Sequence, residues 1–202
     1  FVGRSEHEVA TELDQRMRAA GASGPSFETI VAAGPATSQP HYRPGSRVIE
    51  RGDPVLIDWG ALVKGYCSDL TRVVFTGKIP PIFAEIYAIV ARAQQAAIRA
   101  VRPGVSAGTI DAVARDIIAD AGYGEQFIHT TGHGLGREVH EMPPIAKRNT
   151  WRLRAGVVFT VEPGIYVPGV GGVRIEDDVV VTGSGRRKLS TLPVAIETMV
   201  LR

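Results

Sequence analysis

Four acidic side chains and one imidazole in this 202-residue chain have the types and settings that bind divalent cations: Asp58 in VLIDWG, Asp69 in YCSDLTR, His133 in TGHGLG, Glu162 in FTVEPG and Glu176 in GVRIEDD. Each segment reads as a strand or a tight loop. Two divalent ions carry four positive charges, which four ionised carboxylates would balance. Without cations, each like-charged pair about 4 Å apart repels by ~4 kcal/mol at an effective dielectric near 20, so the group must protonate, splay apart or recruit metal. Two cations ~3.5–4 Å apart that share a bridging water generate hydroxide near neutral pH. Oxygen-rich ligation with a single imidazole favours Mn²⁺, with Co²⁺ or Zn²⁺ as alternatives. A lone acid in a hairpin is ordinarily a surface charge. Asp58 resists that reading, because it follows Val55-Leu56-Ile57 and precedes Trp59, too apolar a setting for an idle carboxylate.

The elements that must position these groups recur. SEHEVATELDQRMRAAG (5–21) and SAGTIDAVARDIIADAG (106–122) each open on a serine suited to an N-cap and close on Ala-Gly after the same number of residues. Apolar residues fall at matching offsets, Val9 with Ile110, Leu13 with Ala114, Met17 with Ile118, which predicts a helix in both places. Downstream, GDPVLIDWG (52–60) echoes AGVVFTVEPG (155–164): each sets a carboxylate two residues before a glycine at the end of an apolar run. Asp69 follows Asp58 by eleven residues and Glu176 follows Glu162 by fourteen, room in both cases for a strand, a glycine-rich turn and a returning strand. Helix, carboxylate and second carboxylate in the same order point to a duplicated unit with approximate two-fold symmetry. Between the halves, Pro80-Pro81 opens a long amphipathic helix with Ile82, Ile86, Ile89, Val90, Ala93, Ala97 and Val101 on one face, stopped by Arg102-Pro103-Gly104.

Bulk properties exclude other classes. Hydrophobic residues at 44% and charged residues at 22% are those of a soluble globular chain, expected as one catalytic domain over 1–202. A net charge of +2 argues against nucleic-acid or membrane partners. The single cysteine, Cys67, excludes an internal disulfide and fits a cytoplasmic setting; it reads as a small buried residue. The chain opens at Phe1 without a methionine, so a processed or truncated chain is expected, the catalytic half of something longer.

IDWG, SDLTR, TGHGLGREVH, FTVEPGIY and GVRIEDD, in order across nearly the whole chain, resemble the metallopeptidases of pita-bread fold, the family of Xaa-Pro dipeptidase (prolidase), aminopeptidase P and methionine aminopeptidase. The resemblance implies an α+β fold in which two pseudo-symmetric halves surround a curved antiparallel sheet. It implies that Asp58, Asp69, His133, Glu162 and Glu176 hold two metal ions, and that Glu162 also takes the proton of the bridging water. By the same resemblance His140 meets the scissile carbonyl and the developing tetrahedral intermediate, His41 lines the substrate pocket, and His129 matches a histidine of the proline-specific branch. Tyr166 and Arg174 match positions near the site. Core packing is an equal reading for Tyr166, and Arg174 is placed to orient a metal-binding carboxylate, sharing a strand face with Glu176, or to meet substrate. Arg72 reads as a structural ion-pair partner, and His7, on the first helix, as solvated.

The implied activity is removal of the first residue of a peptide substrate. His129, EPGIY and the arginine of GVRIED favour hydrolysis of Xaa-Pro bonds in dipeptides or short peptides over a methionine aminopeptidase. Dipeptidase and aminopeptidase P remain alternatives, as does a non-catalytic binding module on the same fold, although the latter sits poorly with five intact ligand positions. A dipeptidase needs a cation for the substrate carboxylate, and Lys147, Arg148 and Arg152 are candidates, against the blander reading of a solvated loop. Proline-specific members usually carry an amino-terminal domain that completes the entrance and the dimer, so a homodimer and a missing domain are both left open.

Overall fold

Serines at two sequence positions start two helices of equal length. In the computed structural model, which describes residues 1–201, Ser5 caps α1 (Glu6–Ala19) and Ser106 caps α3 (Ala107–Asp120), each accepting a backbone N–H of the first turn. At α1 the Glu8 side chain bonds back to the Ser5 N–H and closes a capping box. Gly21 and Gly122 follow the two C-caps at φ of 103° and 87°, a region that a side chain would strain. The predicted central helix is α2 (Pro81–Ala100), with Pro81 at its first position. Its buried face includes Ile86, Ile89, Val90, Ala93 and Ala97 as expected, and adds Phe83 and Tyr87; Ile82 is only half-buried.

After each capped helix the chain repeats one plan. In the first half β2 (Ile30–Ala33) pairs with β3 (Pro54–Trp59), and β3 with β6 (Leu70–Phe75); β1 (Gly24–Pro25) lies earlier, against β4 (Ala61–Val63). In the second half β7 (Gly132–Gly134) pairs with β9 (Val158–Val161), and β9 with β12 (Asp177–Val181); β8 (Glu141–Ile145) and β13 (Arg186–Lys188) extend this sheet to five strands. The two intervals between carboxylates each hold a hairpin: β4 with β5 (Tyr66–Cys67) after Asp58, and β10 (Gly164–Val167) with β11 (Gly171–Arg174) after Glu162. All these pairings are antiparallel.

The ladders form four separate sheets rather than one continuous surface. The halves meet where the Glu176 N–H donates to the Thr71 carbonyl at 3.2 Å and the Cys67 N–H donates to the Gly136 carbonyl at 2.8 Å, isolated bonds rather than a ladder. The symmetry is also offset: Asp58 lies inside its ladder, opposite Thr71, whereas Glu162 lies one residue beyond β9. The main core gathers α2, α3 and the second-half strands together with Leu56, Val73 and Phe75. Val55 and Ile57 face a smaller core under α1 with Val9 and Val31. Strand alternation therefore puts Asp58 on the Leu56 side of β3, where the two halves converge.

Candidate metal centre

Glycine permits the close packing around the site. A Cβ at Gly60 would lie 1.9 Å from the Ser68 carbonyl, and one at Gly132 would lie 1.9 Å from the Thr160 carbonyl. Only a bare backbone can bring the Asp58 strand beside the Asp69 segment and β7 beside β9 this closely. Asp58 and His133 are carried on β3 and β7, while Asp69, Glu162 and Glu176 sit at strand ends, just before β6, just after β9 and just before β12.

All five side chains line one cleft of about 580 Å³. Ligand atoms of Asp69, His133 and Glu176 lie within 4.8 Å of one another. His133 Nε2 is 3.3 Å from Glu162 Oε1 and 3.6 Å from Asp69 Oδ2. The other ring nitrogen, Nδ1, is 3.0 Å from the Gly134 carbonyl, an acceptor that keeps a proton on Nδ1 and turns Nε2 inward. Asp58 Oδ1 and Glu176 Oε1 are buried and have no hydrogen-bond partner. Buried anionic oxygens without donors are costly, and here they converge with an inward-facing imidazole nitrogen. This donor set suits divalent cations.

Electrostatics agree. Burial first, then the neighbouring charges of Asp58 and Glu162, pushes the Asp69 carboxyl up to about 10. Burial likewise raises Asp58, against the pull of Arg174, and raises Glu176 well above its ordinary value, with Asp69 adding to the effect. Burial works to raise Glu162 too, but the His133 hydrogen bond and the charges of His129, His133 and Arg174 outweigh it and hold Glu162 at about 2. Burial opposes a proton on His133, yet the same bond, donated to the Glu162 carboxylate, raises it. Burial and mutual repulsion thus push Asp58, Asp69 and Glu176 toward the protonated form, while His133 Nε2 and Glu162 Oε1 stay 3.3 Å apart.

Polar supports surround the candidate ligands. Thr71 Oγ1 donates to Glu176 Oε2 at 2.6 Å, and Thr160 Oγ1 donates to Glu162 Oε1 at 3.0 Å. The Asp69 N–H donates to Asp178 Oδ2 at 3.2 Å. Thr160 stands two residues from the Glu162 it serves, whereas Thr71, two after Asp69, serves Glu176, and Asp178, two after Glu176, meets the Asp69 N–H, so these two contacts cross between the halves.

Among the remaining histidines, His41 and His140 are exposed at the cleft, with the His140 ring 4.3 Å from that of His133. His129 is half-buried in the wall. Its Nδ1 bonds the Thr130 carbonyl and its Nε2 lies 2.8 Å from the Tyr166 hydroxyl, which accepts from Arg174 at 2.8 Å. Tyr166 is thus both packed in the core and wired to the site. Arg174 departs from the expectation of a partnership with Glu176. β11 ends at Arg174, so alternation does not extend to Glu176, and the guanidinium reaches Asp58 Oδ2 at 2.6 Å, touching Glu176 only through Thr71. Arg72 is the expected structural partner, 2.8 Å from Asp177, and His7 is exposed on α1. The loop cations lie elsewhere. Lys147 and Arg148 line a separate depression at the start of α3, and Arg152 donates to the Gly104 carbonyl.

The sequence profile of metallopeptidase family M24 matches residues 2–183. The chain belongs to metallopeptidase family M24. Within the family it is 46% identical over 188 residues to the Xaa-Pro dipeptidase of Pyrococcus horikoshii, covering 93% of this chain and 54% of that protein. It superposes on the X-Pro aminopeptidase of Thermotoga maritima with a TM-score of 0.96 at 46% identity, over 100% of this chain and 56% of that one. Prolidase from Pyrococcus furiosus gives 0.93 at 45% identity, over 95% and 57%. The M24 fold shared with these structures is the expected α+β pita-bread arrangement. The chain spans about half the length of the curated relatives it matches. No helix among the described residues is long and apolar enough to cross a membrane.

Proposed function

We propose that residues 1–202 form the catalytic unit of a dinuclear metal-dependent exopeptidase that hydrolyses the Xaa-Pro bond at the amino terminus of dipeptides or short peptides. The observation that carries this reading is one cleft lined by His133 and the four carboxyl groups, with ligand atoms of Asp69, His133 and Glu176 within 4.8 Å of one another and two of the carboxyls presenting buried oxygens without donors. Asp58, Asp69, His133, Glu162 and Glu176 would hold the cations, with Mn²⁺ favoured by the oxygen-rich donor set and Co²⁺ or Zn²⁺ as alternatives. Such ions, when bound, supply Lewis acidity and bring a shared water to a pKa of about 7.

The side chains supply the rest. Glu162 accepts the proton of the attacking water and returns it to the departing nitrogen. His140 donates to the scissile carbonyl oxygen as negative charge develops there. Burial lowers its proton affinity, as does the charge of His133. His41 lines the entrance. His129, held through Tyr166 and Arg174, fixes the wall beside the leaving residue, and Phe27, Ile30, Pro40 and Val139 offer that residue apolar surface. A proline nitrogen carries no hydrogen, so such a pocket needs a wall for a ring rather than an acceptor for an N–H.

The test is hydrolysis of Ala-Pro and Ala-Pro-Ala with added Mn²⁺, paired with metal analysis and the Asp58→Asn variant. Turnover of Xaa-Pro substrates that Asp58→Asn abolishes, with the fold retained by circular dichroism, is expected. Cleavage of Met-Ala alone would move the activity to the methionine aminopeptidase type. Neither metal nor turnover would leave a binding module.

A further inference from the structure

Hydrolysis of dipeptides requires recognition of a free carboxylate one residue beyond the scissile bond, and the cleft has few groups able to supply it. Only Arg43 and Arg174, among the described residues lining it, carry permanent positive charge. Arg174 is fully committed. Its side chain is 3% exposed, and Nε and the two terminal nitrogens donate to Thr71, Tyr166 and Asp58. Arg43 is the opposite case, 84% exposed at the mouth, and its ion pair is with Glu28, at 3.4 Å, itself 63% exposed and also lining the cleft. Exposed pairs of this kind are weak and readily exchanged.

The backbone beneath Arg43 is held firmly. Glu6, a fully buried carboxylate at the start of α1, accepts from the Tyr42 hydroxyl at 2.8 Å and from the Gly45 N–H at 3.1 Å through one oxygen, and from the Ala33 N–H at 2.8 Å through the other. These bonds clamp the segment on both sides of Arg43, so an exposed guanidinium, held only by Glu28, projects from a fixed support. A guanidinium binds a carboxylate through paired N–H donors.

We propose that Arg43 is the specificity-determining residue that binds the free carboxylate of a dipeptide substrate, and that Glu28 is the internal anion this carboxylate displaces. The proposal rests on the exopeptidase reading above and adds the group that separates dipeptides from longer peptides. Lys147, Arg148 and Arg152, which the sequence made candidates for this role, lie outside the cleft.

Ala-Pro and its carboxamide, assayed with Mn²⁺ on the full chain, distinguish the two ideas. Arg43→Gln should raise KM for Ala-Pro roughly 10-fold to 100-fold, the range of a lost charge-assisted hydrogen bond, and should shift KM for the carboxamide by less than about 2-fold. Arg43→Lys should recover part of the loss. Glu28→Gln should lower KM for Ala-Pro by removing the competitor, a change that no loop-folding role for Arg43 produces. Equal effects of Arg43→Gln on both substrates, or no effect on either, overturn the proposal while leaving the peptidase intact. Should the wild type cleave neither compound, the hydrolytic reading fails separately. Calorimetric binding then judges Arg43: tighter binding of Ala-Pro than of its carboxamide, lost in Arg43→Gln, supports it, and equal affinities refute it.

Discussion

Replacing Thr71 by valine isolates one support of the proposed metal centre. Thr71 is fully buried, and its hydroxyl donates to Glu176 Oε2 at 2.6 Å while accepting from Arg174 Nε at 3.2 Å. Valine fills the same volume, so no cavity term enters; only the hydroxyl is lost. Glu176 Oε1 already lacks a donor, so in Thr71→Val neither carboxylate oxygen would have one. A hydrogen bond to a charged group contributes about 1.5–3 kcal/mol, and a buried donor left unmade costs about 1–3 kcal/mol. An orienting contact of this type changes cation affinity by roughly 10-fold to 100-fold, or about 1.4–2.8 kcal/mol. Mn²⁺ affinity measured by competition with a fluorescent chelator should fall by that factor. In chelator, the melting temperature should also drop, by about 2–4 °C for each kcal/mol in a chain of this size. Thr71→Ser, which keeps the hydroxyl, should restore affinity to within about 3-fold of wild type, since the charge-assisted bond is the larger effect. Affinity in Thr71→Val within about 2-fold of wild type would refute the idea that this bond orients Glu176, because second-sphere contacts that matter exceed that change.

The carboxyl cluster sets a pH dependence of stability. Asp69 is raised from 3.8 to about 10 on folding, and Asp58 and Glu176 move in the same direction. Below pH 3.8 the Asp69 contribution is fully present, and it is lost as pH rises toward about 10, because the folded state binds more protons across that window. Melting in chelator should therefore fall from about pH 6 to about pH 9, with Mn²⁺ reversing the trend and releasing protons as it binds; a metal-independent profile would contradict the cluster assignment. His140→Ala should reduce kcat by roughly 10²–10³ with little change in metal content, as loss of an oxyanion donor does, and an unchanged kcat removes His140 from the chemistry. Glu6→Gln sets an amide donor against N–H groups or the Tyr42 hydroxyl, and should lower stability in urea by about 1–3 kcal/mol. Unchanged urea stability would show that Glu6 does not clamp the His41–Arg43 segment.

Much of this molecule was legible in residue order. Local chemistry decides a helix N-cap, a C-terminal glycine and a hydrophobic period, so α1, α2 and α3 could be placed from Ser5, Pro81 and Ser106 and their apolar spacing. The repeated carboxylate-glycine pattern likewise anticipated both hairpins and the duplicated plan, because a strand, a turn and a returning strand are short-range events. The ligand candidates were visible as acids in settings too apolar for a surface charge, and resemblance supplied the joint reading. The Thr160 support lies two residues from Glu162, but Thr71 and Asp178 serve residues of the opposite half and needed the folded chain.

What required the folded chain is the pairing of groups distant in sequence. Arg174 serves Asp58 and not Glu176, because β11 stops at Arg174 and the guanidinium crosses to the other half. The loop cations before Glu162 point away from the cleft, while Arg43, in a Pro-rich segment without periodicity, faces it because Glu6 ties down the backbone on either side. Order along the chain dictates which elements form and which of their faces are apolar. Which charges meet depends on how two halves, joined by isolated backbone bonds rather than a ladder, settle against each other, and that is determined by packing summed over the whole core.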